Sequence, residues 1–166
     1  MKNQRHTLRA LALLLSYPDE RILELLPLVA DALDAEGALR APRRLELRGF
    51  ARSLARMDPI EAQMQFVELF DRGRSTSLHL FEHVHGDSRE RGPAMIDLIQ
   101  HYEKAGLFLG DQELPDHLCV ILEFASTQPP AAARDFLGEM AHILKAIFSA
   151  LRKRESSYAS LVAAVL

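Results

Sequence analysis

The sequence predicts an all-α fold, a compact single-domain helical bundle, and three observations support this prediction. The chain has 166 residues, a length that suits one domain with a sizeable core. Apolar residues recur with helical spacing along most of the chain, as in the stripe from Phe136 through Ile143 to Leu151. No clear alternation typical of a strand interrupts this pattern. We therefore assign residues 1–166 to one helical domain.

Punctuating residues divide the chain into nine predicted helices. Tyr17-Pro18 ends the first helix, because the residue before a proline is pushed out of the helical region. A helix N-terminus is predicted at Asp58. Asp58 is its N-cap, Pro59 suits the first helical position and Glu61 completes a capping box. The predicted helices cover residues 3–16, 19–35, 42–57, 59–71, 75–84, 88–105, 115–127, 131–154 and 157–165, and the apolar pattern near 77–85 does not settle its period.

Composition narrows the possible functions. The net charge of −3 and the pI of about 6.2 argue against a nucleic-acid partner. A single cysteine, Cys119, excludes an internal disulfide and a multi-thiolate metal site within one chain, and its apolar surroundings predict a buried small hydrophobe. Arg9 interrupts the apolar start of the chain, which argues against a signal peptide, and no apolar run is long enough to cross a bilayer. We expect a cytoplasmic protein without direct membrane insertion.

Polar and apolar side chains are crowded together in two segments. These are FVELFDRGRSTSLHLFEHVHGDSRERG at 66–92 and ELPDHLCVILEFAS at 113–126. In the first, Gly86 can take a positive φ. Arg89 and Arg91 fall in a helical first turn, where cations are unfavourable, so we expect them to pair with carboxylates such as Asp71, Glu82 or Glu90. In the second, Pro115 and Asp116 are typical of a helix N-terminus.

A metal site is one reading of the first segment. If 75–84 is helical, His79 and His83 lie one turn apart on one face, as two ligands to one metal would. Glu82, His85 and Asp87 lie nearby in the sequence, and a zinc site would need a third ligand from His85 or Asp87. The spacing matches no metal signature, and the phosphate-loop, nucleophile-elbow and dinucleotide templates are also missing from the sequence. Surface and structural roles are therefore favoured, and we expect no metal and no cofactor.

The same two segments, with RESSYA at 154–159, closely resemble the NarJ family of respiratory nitrate reductase assembly chaperones, also called the delta subunit. The resemblance runs over most of the chain, from LSYPDE at 15–20 to the last helix. It implies a helical bundle like that of the related TorD-type molybdoenzyme chaperones, with no catalytic activity. The motif residues carried over are Phe70 to Arg72, His83 to Arg91, Glu113 and Pro115 to His117.

The resemblance also implies a partner and a task. Family members bind the cofactor-free catalytic alpha subunit through its N-terminal segment, a remnant of a twin-arginine leader. They keep it competent for molybdenum cofactor and iron–sulfur insertion before membrane assembly. Two departures are visible: relatives commonly continue into a charged tail beyond the position of Leu166, and Cys119 stands where relatives often have proline.

A leader-binding chaperone needs an apolar groove with a few polar anchors. Helices carrying Leu69 and Leu122 are candidate walls, and Asp116→Ala is expected to weaken client binding with little change in the thermal midpoint. His83 and His117 are expected to make the affinity pH-sensitive near neutrality. The predicted client-peptide contacts are Phe66, Phe70, Asp71, Arg72, Glu82, His83, Asp87, Arg89, Asp116, His117, Leu118 and Ile121.

Three alternatives remain open at this stage. The chain could serve another molybdoenzyme client, it could be a metal-dependent enzyme built on His79, His83 and His85, or it could be a helical scaffold without a client. We expect a monomer or a weak homodimer, and exchange of segments between chains is conceivable around residues 106–113.

Overall fold

The computed structural model describes residues 2–166, and in that range the chain forms ten α-helices and one π-helical turn. The helices are α1 (Arg5–Leu14), α2 (Glu20–Glu36), α3 (Ala41–Arg56), α4 (Pro59–Phe66), α5 (Leu80–Val84), α6 (Arg91–Lys104), α7 (Leu118–Thr127), α8 (Pro130–Glu139), α9 (Ala141–Lys153) and α10 (Ala159–Val165). The π-helical turn Val67–Asp71 continues directly from α4. The all-α prediction is confirmed.

Several predicted boundaries are confirmed by their capping geometry. The side chain of Asp58 accepts a hydrogen bond from the amide of Glu61 at 3.2 Å, and Pro59 takes the first position of α4. Asp19 caps α2 in the same way, through the amide of Ile22 at 2.9 Å. Helix α1 ends before Tyr17, as the proline after it requires.

The core is one continuous cluster of buried apolar side chains centred on α1 and α7. Helix α1 packs against α2, α7 and α10, and α7 packs against α8. Leu11 and Leu14 of α1 are fully buried, as are Ile121 and Leu122 of α7. Because α1 is surrounded on several sides, most of its length is apolar apart from its exposed start.

Two predicted helices are wrong in extent, and for one shared reason. Residues 78–80 and 116–118 pair as an antiparallel β-bridge, in which the amide of Leu80 donates to Asp116 and the amide of Leu118 donates to Leu78. The backbone at these positions is therefore extended. Helix α5 begins only at Leu80 rather than near residue 75, and α7 begins at Leu118 rather than at Pro115.

The predicted helix 131–154 is also divided in two. Helix α8 ends at Glu139 and α9 begins at Ala141, with Met140 between them. Gly138, a weak helix former, lies in the last turn of α8. The predicted apolar stripe survives the break, since Phe136, Met140 and Leu151 are all buried. None of the helices within residues 2–166 has the length and hydrophobicity that a membrane span requires.

Candidate functional site

A groove of about 850 Å³ opens on the surface between the end of α3, α4 with its π-helical turn, and the loop joining α9 to α10. Its floor is apolar and includes Phe50, Leu54 and Leu69, which are all buried. On the wall formed by α4, Ile60 and Met64 are 66% and 67% exposed. The groove is therefore a concave apolar surface that is open to solvent.

Helix α4 is apolar on two faces, and only one of them is covered. Ala62 and Phe66 face the core and are buried. Ile60, Met64 and Val67 follow the i, i+4, i+7 spacing of a second face, which lines the groove. A second apolar face left open beside a groove is typical of a surface that receives a partner.

An aromatic cluster supports the floor of the groove. The ring of Tyr158 lies 4.8 Å from Phe50, 4.9 Å from Phe70 and 6.1 Å from Phe66, each in an edge-to-face arrangement. Such pairs add to the stabilisation that burial alone provides. The Tyr158 hydroxyl is buried and has no hydrogen-bond partner among the described residues.

Charged side chains are distributed unevenly along the groove. Asp58 and Glu61 lie where α4 begins. At the other end, Arg72 forms an ion pair with Glu68 at 3.2 Å. Arg154 lies over Gly73, since a Cβ built on that glycine would come within 2.8 Å of the guanidinium Nη1.

The loop beside Arg154 has an unusual backbone. Glu155 has a φ of 54°, and no other non-glycine residue within 2–166 has a positive φ. Such a conformation costs free energy for a residue with a Cβ, and the surrounding structure must hold it in place. Glu155 and the following two serines also line the groove, so this strained loop shapes its far wall.

A second polar cluster surrounds Asp116, at the bridge between the start of α5 and the start of α7. Asp116 is fully buried, and its Oδ2 accepts a hydrogen bond from the amide of Phe81 at 3.0 Å. Its Oδ1 lies 3.9 Å from His79 Nδ1. The rings of His79 and His117 meet edge to face, with centroids 4.8 Å apart. Tyr102 closes the cluster by donating its hydroxyl to the carbonyl of Pro115 at 2.7 Å.

The pKa values of the two histidines in this cluster are shifted in opposite directions. The Asp116 carboxylate raises the pKa of His79, and although 3.9 Å is long for a hydrogen bond, the attraction at that distance outweighs burial, which lowers the pKa. Burial lowers the pKa of His117 to about 4. Its Nδ1 accepts a hydrogen bond from the amide of Cys119 at 3.1 Å, which requires that nitrogen to be unprotonated. His117 is therefore the neutral N-cap of α7.

The carboxyl of Asp116 remains ionised despite its burial. Burial acts to raise the pKa of Asp116, but His79 and the amide of Phe81 together outweigh it, and the pKa is lowered. A buried carboxylate held in this way ties α5 to α7.

The geometry does not assemble the histidine metal site that was the alternative reading of this segment. His79 is extended and precedes α5, so it does not share a helical face with His83. The Nε2 of His83 donates to the carbonyl of Ser77 at 2.8 Å. Within residues 2–166 no group of three or more His, Cys, Asp or Glu side chains is arranged to hold a metal ion.

Other predictions about single residues are confirmed. Cys119 is buried, and burial raises the pKa of its thiol to about 12. Gly86 has a positive φ of 51°. The expected ion pairs are met only in part, since the carboxylate of Glu82 pairs with Arg91 at 3.9 Å, whereas the exposed Arg89 forms no ion pair with a described carboxylate.

The predicted client contacts fall into three groups. All twelve are described residues, and of these only Arg72 lines the groove. Asp71, next to it, is exposed and does not line the groove, and Phe66 and Phe70 lie beneath the groove floor. Around α5 and its following loop, Asp87 and Arg89 are exposed, and Glu82 and His83 lie near them. Asp116, Leu118 and Ile121 have no exposed surface, and His117 is largely covered. The structure does not bring these groups together.

The prediction from sequence missed Ile60, Met64 and Tyr158 as groove residues. A signal for the first two was present, because Ile60, Met64 and Val67 form an apolar stripe that Phe66 and Leu69 do not share. No pattern in the sequence indicates that residues 154–158 lie opposite this stripe, because the 87 positions from Val67 to Arg154 separate the two walls in the chain.

Comparison with known proteins gives a consistent set of relatives. The family described as nitrate reductase delta subunit matches residues 36–164. The chain is 47% identical over 148 residues to NarJ of Escherichia coli (strain K12), named as a nitrate reductase molybdenum cofactor assembly chaperone. That match covers 89% of this chain and 63% of the relative, so the chain spans less than two thirds of that protein's length. It is 35% identical over 160 residues to NarJ of Bacillus subtilis (strain 168), covering 96% of this chain and 86% of that protein.

A solved structure shares the fold. The crystal structure of a protein from Archaeoglobus fulgidus, described as a redox enzyme maturation protein, superposes with a TM-score of 0.68 at 24% identity. The match covers 99% of this chain and 93% of that one. The helical arrangement described above is therefore one already seen by crystallography.

Proposed function

The chain belongs to the nitrate reductase delta subunit family, and we propose that it is a chaperone for assembly of the molybdenum cofactor into nitrate reductase. In this proposal it binds the cofactor-free catalytic alpha subunit through its N-terminal segment, in the cytoplasm. It holds that subunit competent for cofactor and iron–sulfur insertion and then releases it, acting as a binding protein rather than an enzyme.

The observation that carries the proposal is the open apolar groove beside α4. An amphipathic helix can lay its apolar face into such a groove, and Ile60 and Met64 are positioned to contact it. Exposed methionine suits a surface that must accept and release a segment, because its side chain is flexible and polarizable. The apolar contact would supply most of the binding free energy.

Charge around the groove supports a basic partner. The acidic side chains that line it outnumber the two arginines, Arg72 and Arg154. Arg72 already pairs with Glu68. A helix with a cationic polar face would complement this rim, and opposite charges accelerate encounter and set the register of binding.

The buried members of the predicted contact set take a supporting role in this proposal. Asp116 and Ile121 are buried inside the bundle, and Phe66 and Phe70 pack against the ring of Tyr158, which lines the groove. The candidate contact surface is therefore narrowed to the α4 wall, the groove floor and the loop at 154–158.

Calorimetric titration with a synthetic peptide tests the proposal. The peptide is the N-terminal segment, ~20 residues, of the nitrate reductase alpha subunit from the same organism, enough for about five helical turns. We expect saturable one-to-one binding. A folded protein that takes up no peptide would refute recognition through this segment.

Two variants and a matched control locate the site. Ile60→Ala and Met64→Ala should each weaken peptide binding by about three- to tenfold, as truncation of an apolar contact does at an interface. Leu45→Ala is the control, because Leu45 is 68% exposed on α3 and does not line the groove. Equal affinities for all three variants and the wild type would place the peptide elsewhere.

A further inference from the structure

We propose that the groove fixes the direction of the bound helix, with the N-terminus of that helix at Asp58 and its C-terminus at Arg154. This inference rests on the proposed function, since it takes a client helix in the groove as its premise. The bound helix would then run in the same direction as α4.

The two ends of the groove are well separated. Asp58 precedes the first residue of α4, whereas Arg154 lies over Gly73, just beyond the π-helical turn. At the helical rise of 1.5 Å per residue, the chain between Asp58 and Gly73 spans roughly 20 Å. The groove therefore accommodates about four turns of a bound helix, and a charge at one end of that helix interacts with one end of the groove only.

The two ends differ in the charge they present. Asp58 and Glu61 have no cationic side chain within ion-pair distance among the described residues, so the start of the groove is an uncompensated acidic end. At the far end Glu68 pairs with Arg72, and Glu155 also lines the wall. Arg154 makes no ion pair with a described carboxylate, so its guanidinium is available there.

A helix has opposite partial charges at its two ends. Its unsatisfied amides make the N-terminus positive, and its unsatisfied carbonyls make the C-terminus negative. An N-terminal segment adds an α-ammonium group to the positive end. Both effects favour placing that end beside Asp58 and Glu61, and both oppose the reverse direction.

The N-terminus of α4 lies at the same end, and its own partial positive charge must be considered. The Asp58 side chain accepts a hydrogen bond from the amide of Glu61, so part of that charge is already neutralised locally. The Glu61 carboxylate forms no ion pair with a described residue, and the only described hydrogen bond that it accepts is a long one of 3.4 Å from the Gln65 amide. The net field at this end is therefore negative.

Paramagnetic labelling of the peptide tests the direction. The client peptide carries a nitroxide on a cysteine near its N-terminus in one sample and near its C-terminus in another, with the α-amino group free in both. The backbone amide signals of the isotope-labelled chaperone are followed by NMR. The N-terminal label should broaden Met57 and Ile60, and the C-terminal label should broaden Gly73 and Ser156. The opposite pattern, or broadening of both ends by each label, would overturn the proposed direction. Failure of the peptide to bind at all would instead refute the proposed function.

A charge cycle gives an independent test. The double variant Asp58→Asn/Glu61→Gln removes both charges and keeps a good N-cap, because asparagine caps as well as aspartate. It should weaken binding of the free-amine peptide by about three- to tenfold, with a smaller loss for the N-acetylated peptide. The control Asp135→Asn/Glu139→Gln removes two exposed charges from α8, outside the groove, and should change neither affinity. Equal losses for the two peptides would contradict the inference.

Discussion

Asp116 and Phe81 are joined by a hydrogen bond of 3.0 Å from the amide of Phe81 to the buried carboxylate, although 35 residues separate them in the chain. The same aspartate accepts the amide of Leu80 with its backbone carbonyl at 3.1 Å. One residue therefore satisfies two amides at the start of α5 from the start of α7. An acidic side chain at this position holds two distant segments together.

Replacing Asp116 by alanine should destabilise the fold by about 2–4 kcal/mol, because it leaves the amide of Phe81 without its buried acceptor. This differs from the expectation drawn from sequence, in which the variant loses client affinity and keeps its thermal midpoint. Urea unfolding measures the effect. Asp87→Ala is the control, since the Asp87 side chain is 94% exposed, and should leave the midpoint nearly unchanged. Equal midpoints for the Asp116 variant and the wild type would contradict the structural role.

Stability should fall in mild acid because of His117. The folded pKa of His117 is about 4, whereas the unfolded value is near 6.5, so the unfolded chain binds more protons as the pH drops from 6.5 to 4. The free energy of unfolding therefore falls by at most about 3 kcal/mol over this range because of His117. The raised pKa of His79 offsets part of this fall. His79 stabilises the fold below pH 6.5, and its contribution is lost as the pH rises through its folded pKa.

The variant His117→Asn keeps an N-cap for α7 without a group that titrates in this range. Its free energy of unfolding should therefore fall less between pH 6.5 and 4 than that of the wild type. Urea titrations at several pH values measure this difference. A variant as acid-sensitive as the wild type would assign the loss to another group. The low pKa also means that His117 does not titrate near neutrality in the folded protein, so the predicted change of client affinity around pH 7 would have to come from another group.

Two glycines should respond oppositely to substitution by alanine. At Gly73 a Cβ would meet the Leu69 carbonyl and the Thr76 hydroxyl, which are themselves hydrogen-bonded, so Gly73→Ala should destabilise by about 1–3 kcal/mol. Gly49 lies inside α3, and a Cβ there meets nothing within 4 Å. Gly49→Ala should stabilise by roughly 0.5–1 kcal/mol. Thermal unfolding of the two variants checks both signs, and a neutral Gly73→Ala would show that the loop yields easily.

Removing the hydroxyl of Tyr158 should not destabilise the protein. The oxygen is buried without a partner among the described residues, and the ring contributes the aromatic contacts. Tyr158→Phe is therefore expected to leave the free energy of unfolding unchanged or raise it by about 1 kcal/mol. Chemical unfolding provides the measurement. Tyr158→Ala, which removes the ring from between Phe50 and Phe70, should cost about 3–5 kcal/mol by comparison. A large loss in the phenylalanine variant would reveal a hydrogen bond made by the hydroxyl.

The sequence predicts the helices well where local signals decide them. Asp58 and Pro59 start α4 because capping and ring geometry act within one turn, and the apolar stripe around Ile143 predicts burial because its period matches one face. The same kind of local signal predicts that Pro115 lies in a helix, and this prediction is wrong. Pairing with Leu78 and Leu80 overrides that preference, and a long-range hydrogen bond of this kind leaves no local pattern.

The candidate site was less predictable than the fold. The mixture of polar and apolar residues between 66 and 92 predicts a functional site in that segment. Several of these residues instead form hydrogen bonds within or next to the buried junction around Asp116. The groove depends on the approach of the 154–158 loop to α4, which tertiary packing determines. Ile60 and Met64 are ordinary residues in the sequence of a helix. They indicate a binding surface only once the structure shows that they are exposed beside the groove.

The bridge at Leu78–Leu80 and Asp116–Leu118 joins the two ends of one long segment of the chain. Helices α5 and α6 lie between these two ends, and the buried Leu98 and Tyr102 of α6 hold the segment in the core. No residue between Leu80 and Asp116 lines the groove. A short peptide tag inserted at Asp111, an exposed turn residue of this segment, would therefore be held by structured residues on both sides and would leave the groove open to a client.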